Sequence, residues 1–151
     1  MQKTDTNISL DIYGPIVDKR YWQQCLALIK KVPGRVQYKG EVQPVKVQEL
    51  LLQYHAMVLL TKGENFGHAL YESLSVGRPV ITSFFTPWNN LEQNAAGLNI
   101  NINNFHESLQ KLNEFADMQQ DEYNFYCNGA HSLACNYYVN LDARSKYSKV
   151  F

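Results

Sequence analysis

The segment "ENFGHALYE" sets two glutamates, Glu64 and Glu72, eight residues apart with Gly67 between them. A carboxylate offers two acceptor oxygens and suits a vicinal diol. The stretch follows "AMVLLT", an apolar run of strand length from Ala56 to Thr61. It also opens a helix predicted over about Phe66 to Val76. The first amides of such a helix have no internal partner and lie at the positive end of its dipole. That tip is an anion site, and Gly67 lets an anion approach the backbone with no Cβ in the way. Either carboxylate placed against a phosphate would repel it. Both make sense flanking the anion and holding hydroxyl groups. A diphosphate with a polyol at each end, a nucleotide sugar, meets these demands.

Other residues could serve or mislead. His68 falls in the first helical turn, beside any bound anion. Lys62 and Arg78 could compensate phosphate charge, although solvated surface cations are the plainer reading. Trp88 could stack on a ligand or close the core. Cys127, His131 and Cys135 recur every four residues, which invites a metal reading. Geometry opposes it: at ~1.5 Å rise per residue the outer pair lies about 12 Å apart. Two thiolates on one zinc must lie within roughly 4 Å of each other. Helix packing is the expected role. No Ser/His/Asp or Cys/His set has the context of a nucleophile.

The elements that must position these residues are legible from pattern. "ISLDIY" reads as a strand closed by Gly14-Pro15, and Trp22, Leu26 and Ile29 mark an amphipathic helix stopped at Pro33-Gly34. "RVQYKG" is a second strand, and Pro44 opens a second helix. "AMVLLT" is expected to be buried on both faces. Leu70 and Leu74 should pack the third helix on a sheet. "PVITSFF" and "LNINI" complete the strands, and Asn104 with Glu107 forms a capping box before the next helix. The tail from Gln119 through "LDARSKYSKVF" is helical in pattern. Near-strict alternation over the first hundred residues predicts an α/β fold, a parallel sheet with helices on both faces. Ligands of such sheets bind beyond the carboxyl ends of the strands. Those segments are Gly14 to Lys19, Gly40 to Pro44, Lys62 to Gly67 and Phe84 to Asn90.

At 151 residues the chain suits one domain. Its zero formal net charge supplies no long-range field toward nucleic acid or an anionic membrane, so no nucleic-acid partner is expected. Three scattered cysteines fit a reducing cytoplasm rather than a disulfide framework. No signal peptide or membrane-length apolar run is evident. The expected location is cytoplasmic, which is compatible with a peripheral contact at the inner face of a membrane.

The chain resembles the donor-binding domain of family 4 (group 1) retaining glycosyltransferases, which have the two-domain GT-B fold. The resemblance rests on the E-x7-E of "ENFGHALYE", on "SLSVGRPVITS" and on "YKGEV" before a helix, in the family's order. It runs from about Leu10 to Phe115 and implies a Rossmann-like half of a GT-B fold with a helical C-terminal tail. It implies that Glu64, the candidate catalytic residue, holds hydroxyls of the donor sugar, and that Glu72 holds the ribose. Asn65, Phe66 and Gly67 would contact sugar or phosphate, and residues of "YKGEV", Lys39 among them, would lie near the base. Gly14, Lys62, His68 and Thr86 complete the donor-binding set. Thr86-Pro87-Trp88-Asn89 replaces a small glycine-bearing loop of the family. The implied reaction moves a sugar from a nucleoside diphosphate to an acceptor hydroxyl with retention, in bacterial polysaccharide or glycolipid assembly, with no metal or other cofactor.

The family's opening strand and loop, with its Arg and following Lys, has no counterpart here. The chain is therefore expected to be a fragment lacking that unit and the N-terminal acceptor domain, and inactive by itself. Two other readings compete: a non-catalytic nucleotide-sugar-binding module or partner subunit, and a GT-B-type nucleotide-sugar epimerase.

Overall fold

The structure, a computed structural model, describes the backbone of residues 7–147 and the side chains of residues 7–140. The last four residues of the expected helical tail lie outside the described ones. The chain divides after Val47 into two compact units.

In the first unit, β1 (Leu10–Tyr13) pairs in parallel with β2 (Val36–Gly40), and α1 (Lys19–Ile29) connects them. Asp18 starts α1 by accepting from the amides of Arg20 and Tyr21, both at 2.9 Å. Trp22 turns inward to meet Tyr38 of β2, ring centroids 4.8 Å apart. Past β2, Pro44–Lys46 form a single 3-10 turn rather than the start of an α-helix. The missing proline N–H is no loss there.

The division falls at the first residue of α2 (Val47–Leu51), and the second unit continues through β3 (Met57–Leu59), α3 (His68–Ser75), β4 (Val80–Ser83), β5 (Gly97–Ile100), α4 (Phe105–Ala116) and α5 (Gln120–Tyr147). Its sheet has the order β3-β4-β5, all parallel, with Met57 opposite Val80 and Val80 opposite Gly97. Neighbouring residues on a strand point to opposite faces, and the core divides accordingly. Val80 packs with Leu70 and Leu74 of α3, Leu91, and Ala130 and Ala134 of α5. Ile81 packs on the other face with Leu98, Ile100 and Phe115 of α4. Helices thus cover both faces, and Leu70 and Leu74, fully buried, carry α3 onto the sheet as expected. At ~1.5–3 kcal/mol per buried leucine, this face holds the helix that carries Glu72.

Two expectations change. The strands form two parallel sheets, one in each unit, rather than one. And "AMVLLT" is not buried on both faces: β3 is the edge strand of its sheet, with Val58 42% exposed. The strand buried on both faces is β4, the middle one.

The asparagine cap of α4 is present, Asn104 accepting from the Glu107 amide at 3.2 Å. Glu107 returns to the Asn104 side-chain amide at 3.0 Å, not to its backbone. Along α5, Gly129 faces a backbone: a Cβ there would come within 2.3 Å of the carbonyl oxygens of Asn94 and Ala95. Only glycine lets this helix lie so close to the β4–β5 connection.

Candidate functional site

The loop from β3 to α3 holds half of the expected site, and α3 itself holds His68 and Glu72. Lys62, Glu64 and Asn65 are exposed, Phe66 is half-buried and Gly67 is buried. Gly67 caps α3 in the left-handed region, φ 76° and ψ 61°, with no side chain bonded to the helix tip. Its carbonyl accepts from the Tyr71 amide at 3.0 Å, the first bond of the helix. Among the described residues the amides of Gly67, His68, Ala69 and Leu70 have no protein acceptor. Four N–H groups at a helix tip, with no side chain covering them, form a ready anion site.

Local packing explains the glycine. A Cβ on Gly67 would lie 2.9 Å from Leu70 Cδ1 and 3.3 Å from Glu64 Cγ. The side chain of Glu64 therefore passes beside the helix tip. Glu72 lies one turn beyond His68, on the same side of α3, and is half-buried. Neither glutamate carboxylate has a hydrogen-bond or ion-pair partner among the described residues. His68 is exposed and set edge-on to Phe66, with ring centroids 4.8 Å apart.

The turn after β4 braces this loop. The Glu64 amide donates to the Phe85 carbonyl at 3.2 Å. Thr82 Oγ1 donates to the Leu59 carbonyl at 2.7 Å, and Ser83 Oγ donates to the Thr61 carbonyl. Hydroxyls of β4 so extend the pairing beyond the last ladder bond of β3. Thr86 is buried, and its hydroxyl accepts from the Trp88 amide at 3.3 Å. Trp88 closes the core, 5% exposed, among Phe66, Tyr71 and Tyr137 with centroids 5.2–6.2 Å away. Its indole Nε1 donates to the Phe66 carbonyl at 2.7 Å. Asn99, fully buried on β5, holds the same turn from below by donating to the Trp88 carbonyl and accepting from the Leu91 amide.

Arg78 is not placed to meet a phosphate bound at this tip. It precedes β4, at the amino edge of the parallel sheet, whereas the Lys62–Gly67 loop lies at the carboxyl edge. Its guanidinium donates to the Leu52 carbonyl at 3.0 Å and approaches Cys127 Sγ at 3.9 Å. Lys62 remains the exposed cation of the loop. The Cys127, His131 and Cys135 row is not uniformly packed: Cys127 is half-buried, whereas His131 and Cys135 are exposed and contact each other. His131 Nδ1 reaches the Ser75 carbonyl at 2.9 Å, at the C-terminus of α3, and its Nε2 lies 3.6 Å from Cys135 Sγ.

Displaced pKa values occur on α5, where burial pushes the phenols of Tyr123 and Tyr126 up. The Tyr123 hydroxyl donates to the His55 carbonyl at 2.9 Å, just before β3 and hence at the amino edge.

Gly14 and Lys39 belong to the first unit. Gly14, φ 132°, follows β1 and donates its amide to the Gly40 carbonyl at 3.0 Å, and its own carbonyl accepts from the Tyr38 hydroxyl at 2.7 Å. The Lys39 ammonium is engaged locally, with Gln37 Oε1 at 2.8 Å and Asp11 Oδ2 at 3.7 Å. Within the second unit the structure assembles Lys62 to His68 around one helix tip, with Thr86 supporting the turn beneath. The Trp88–Phe66 bond and the Asn99 brace carry no local signature, whereas Asp18 ahead of its helical run could have been read as a cap.

The chain resembles solved structures of larger proteins. Anabaena Alr3699/HepE in complex with UDP superposes over 94% of this chain with TM-score 0.76 and 14% identity. HepE in complex with UDP-glucose gives 0.74 over 93%, at 15% identity. WaaG, a glycosyltransferase involved in lipopolysaccharide biosynthesis, gives 0.67 over 85%, at 22% identity. The chain spans 41% of the HepE length and 34% of the WaaG length. Among curated protein sequences none matches. Among the described residues no helix is long and apolar enough to cross a membrane. The fold is α/β, the Rossmann-like half of a GT-B glycosyltransferase with a helical C-terminus. The family model for glycosyl transferases group 1 matches residues 1–131, and the chain belongs to that family.

Proposed function

We propose that this chain is the donor-binding part of a glycosyltransferase, holding a nucleotide sugar while the sugar passes to an acceptor hydroxyl with retention. The observation that carries the reading is the tip of α3: four amides without acceptors among the described residues, with the carboxylates of Glu64 before it and Glu72 on the helix likewise unpartnered among them. The amides and Lys62 take the diphosphate, with Asn65 to Gly67 lining it. Glu72 accepts from the ribose diol and Glu64 from hydroxyls of the sugar. In transfer, the bond from the anomeric carbon to the phosphate oxygen breaks as the acceptor oxygen bonds that carbon, and the acceptor's proton passes to the departing diphosphate. Negative charge grows on the departing diphosphate, and fixed N–H dipoles stabilise it without having to reorganise.

Family membership and the UDP and UDP-glucose found in HepE support this reading. The acceptor site belongs, on this proposal, to chain beyond these residues, so donor binding is expected here without turnover. The WaaG likeness favours an acceptor in polysaccharide or glycolipid assembly.

Calorimetric titration with UDP-, GDP- and ADP-sugars tests the proposal. Wild type should bind one of them, and Glu72→Ala should weaken it about tenfold or more, two hydrogen bonds to a charged acceptor being lost. Equal binding by wild type and variant would remove Glu72 from the ribose.

A further inference from the structure

The amide of Gly67 is useful to an anion only if it points out of the protein, and the residue that decides this lies 21 positions away. In a trans peptide the carbonyl and the following N–H point in opposite directions. The Phe66–Gly67 peptide is trans. Trp88 Nε1 draws the Phe66 carbonyl toward the core at 2.7 Å, which sends the Gly67 N–H the other way. A peptide plane that precedes glycine is otherwise free to turn over, because glycine accepts either sign of φ. Something outside the loop must hold it.

The indole is well fixed for that task. It is 5% exposed, its backbone is tied at both ends by Thr86 Oγ1 and Asn99 Nδ2, and Phe66, Tyr71 and Tyr137 surround its ring. Tyr137 comes from α5, so the long helix also takes part in setting the loop. We propose that Trp88 is a positioning residue for the anion site: through the Phe66 carbonyl it locks the 66–67 peptide and aims the Gly67 amide at a phosphate. It touches no ligand itself. The inference rests on the donor-binding reading above and deepens it.

The test compares nucleotide with nucleoside. The wild-type chain is titrated with UDP, GDP and ADP, and the tightest of these is carried forward with its matching nucleoside. Trp88→Phe keeps an aromatic ring in the cluster and removes the donor. The diphosphate should bind about fivefold weaker, as for one lost hydrogen bond of ~1 kcal/mol, while the nucleoside should bind within twofold of wild type. A residue that only filled the core would weaken both alike or neither. Should Trp88→Phe fold poorly, benzothienylalanine at position 88 alone replaces the N–H by sulfur at nearly constant shape, and the same split is expected. Unchanged diphosphate affinity, or parallel loss of both ligands, overturns the proposal. If wild type binds none of the three nucleotides, the donor-binding reading fails first and takes this role with it.

Discussion

Gly67 is the residue on which the site turns. An alanine there would have to hold φ near 76° and place its Cβ 2.9 Å from Leu70 Cδ1, on a side chain with no exposed surface. Gly67→Ala should cost about 1–3 kcal/mol in urea unfolding. Gly63→Ala, where a Cβ meets nothing within 4 Å, should stay within about 0.5 kcal/mol of wild type. Equal effects at the two positions would show that the helix tip is not tightly packed. The Glu64–Gly67–Glu72 arrangement was legible because all three residues lie within nine consecutive positions, and helix geometry does the rest. The lock on Phe66 was not, since an indole bonding a carbonyl 22 residues back leaves no local trace. The place of Arg78 was likewise out of reach of pattern: its charge is visible in sequence, but its half-buried contact with the Leu52 carbonyl is not.

At the level of elements, hydrophobic runs located every strand to within a few residues, and the Leu70/Leu74 stripe found the packing face of α3. The degree of burial was harder to read. β3 has the apolar content of a central strand and the place of an edge strand, and only strand order distinguishes the two. Asn99 shows what pattern reading leaves out. "LNINI" reads as an ordinary weak strand, yet this side chain is fully buried and satisfies two backbone groups of the β4–β5 connection. Asn99→Ala should strand the Leu91 amide and the Trp88 carbonyl, costing roughly 2–4 kcal/mol. Because that connection carries Trp88, diphosphate affinity should fall as well. Thermal unfolding alongside titration checks both.

For the whole molecule, the alternation of strands and helices gave the fold class, but not the division into two units with separate sheets. Such a division depends on which strands pair, which composition does not record. Stability of the second unit should respond to alkali. Burial, with a hydrogen bond and repulsion from Cys127, raises the Tyr123 phenol above the ordinary tyrosine value near 10, with Arg78 opposing. A folded-state pKa above the unfolded one gives stabilisation that is complete below about pH 10 and lost as pH rises toward the folded value. Denaturant midpoints should therefore decline above pH 10, and Tyr123→Phe should flatten that decline. A profile as steep in the variant would assign the alkaline loss to other groups.

One further consequence follows from the tryptophan content. The chain has two, and they sit in different units: Trp22 beside Tyr38 in the first, Trp88 under the glycine loop in the second. An indole bonded to the Phe66 carbonyl, at the tip proposed to hold the diphosphate, is a native optical probe. On that proposal its emission gives a label-free signal for screening donor analogues, and a Trp22→Phe variant removes the background of the other indole.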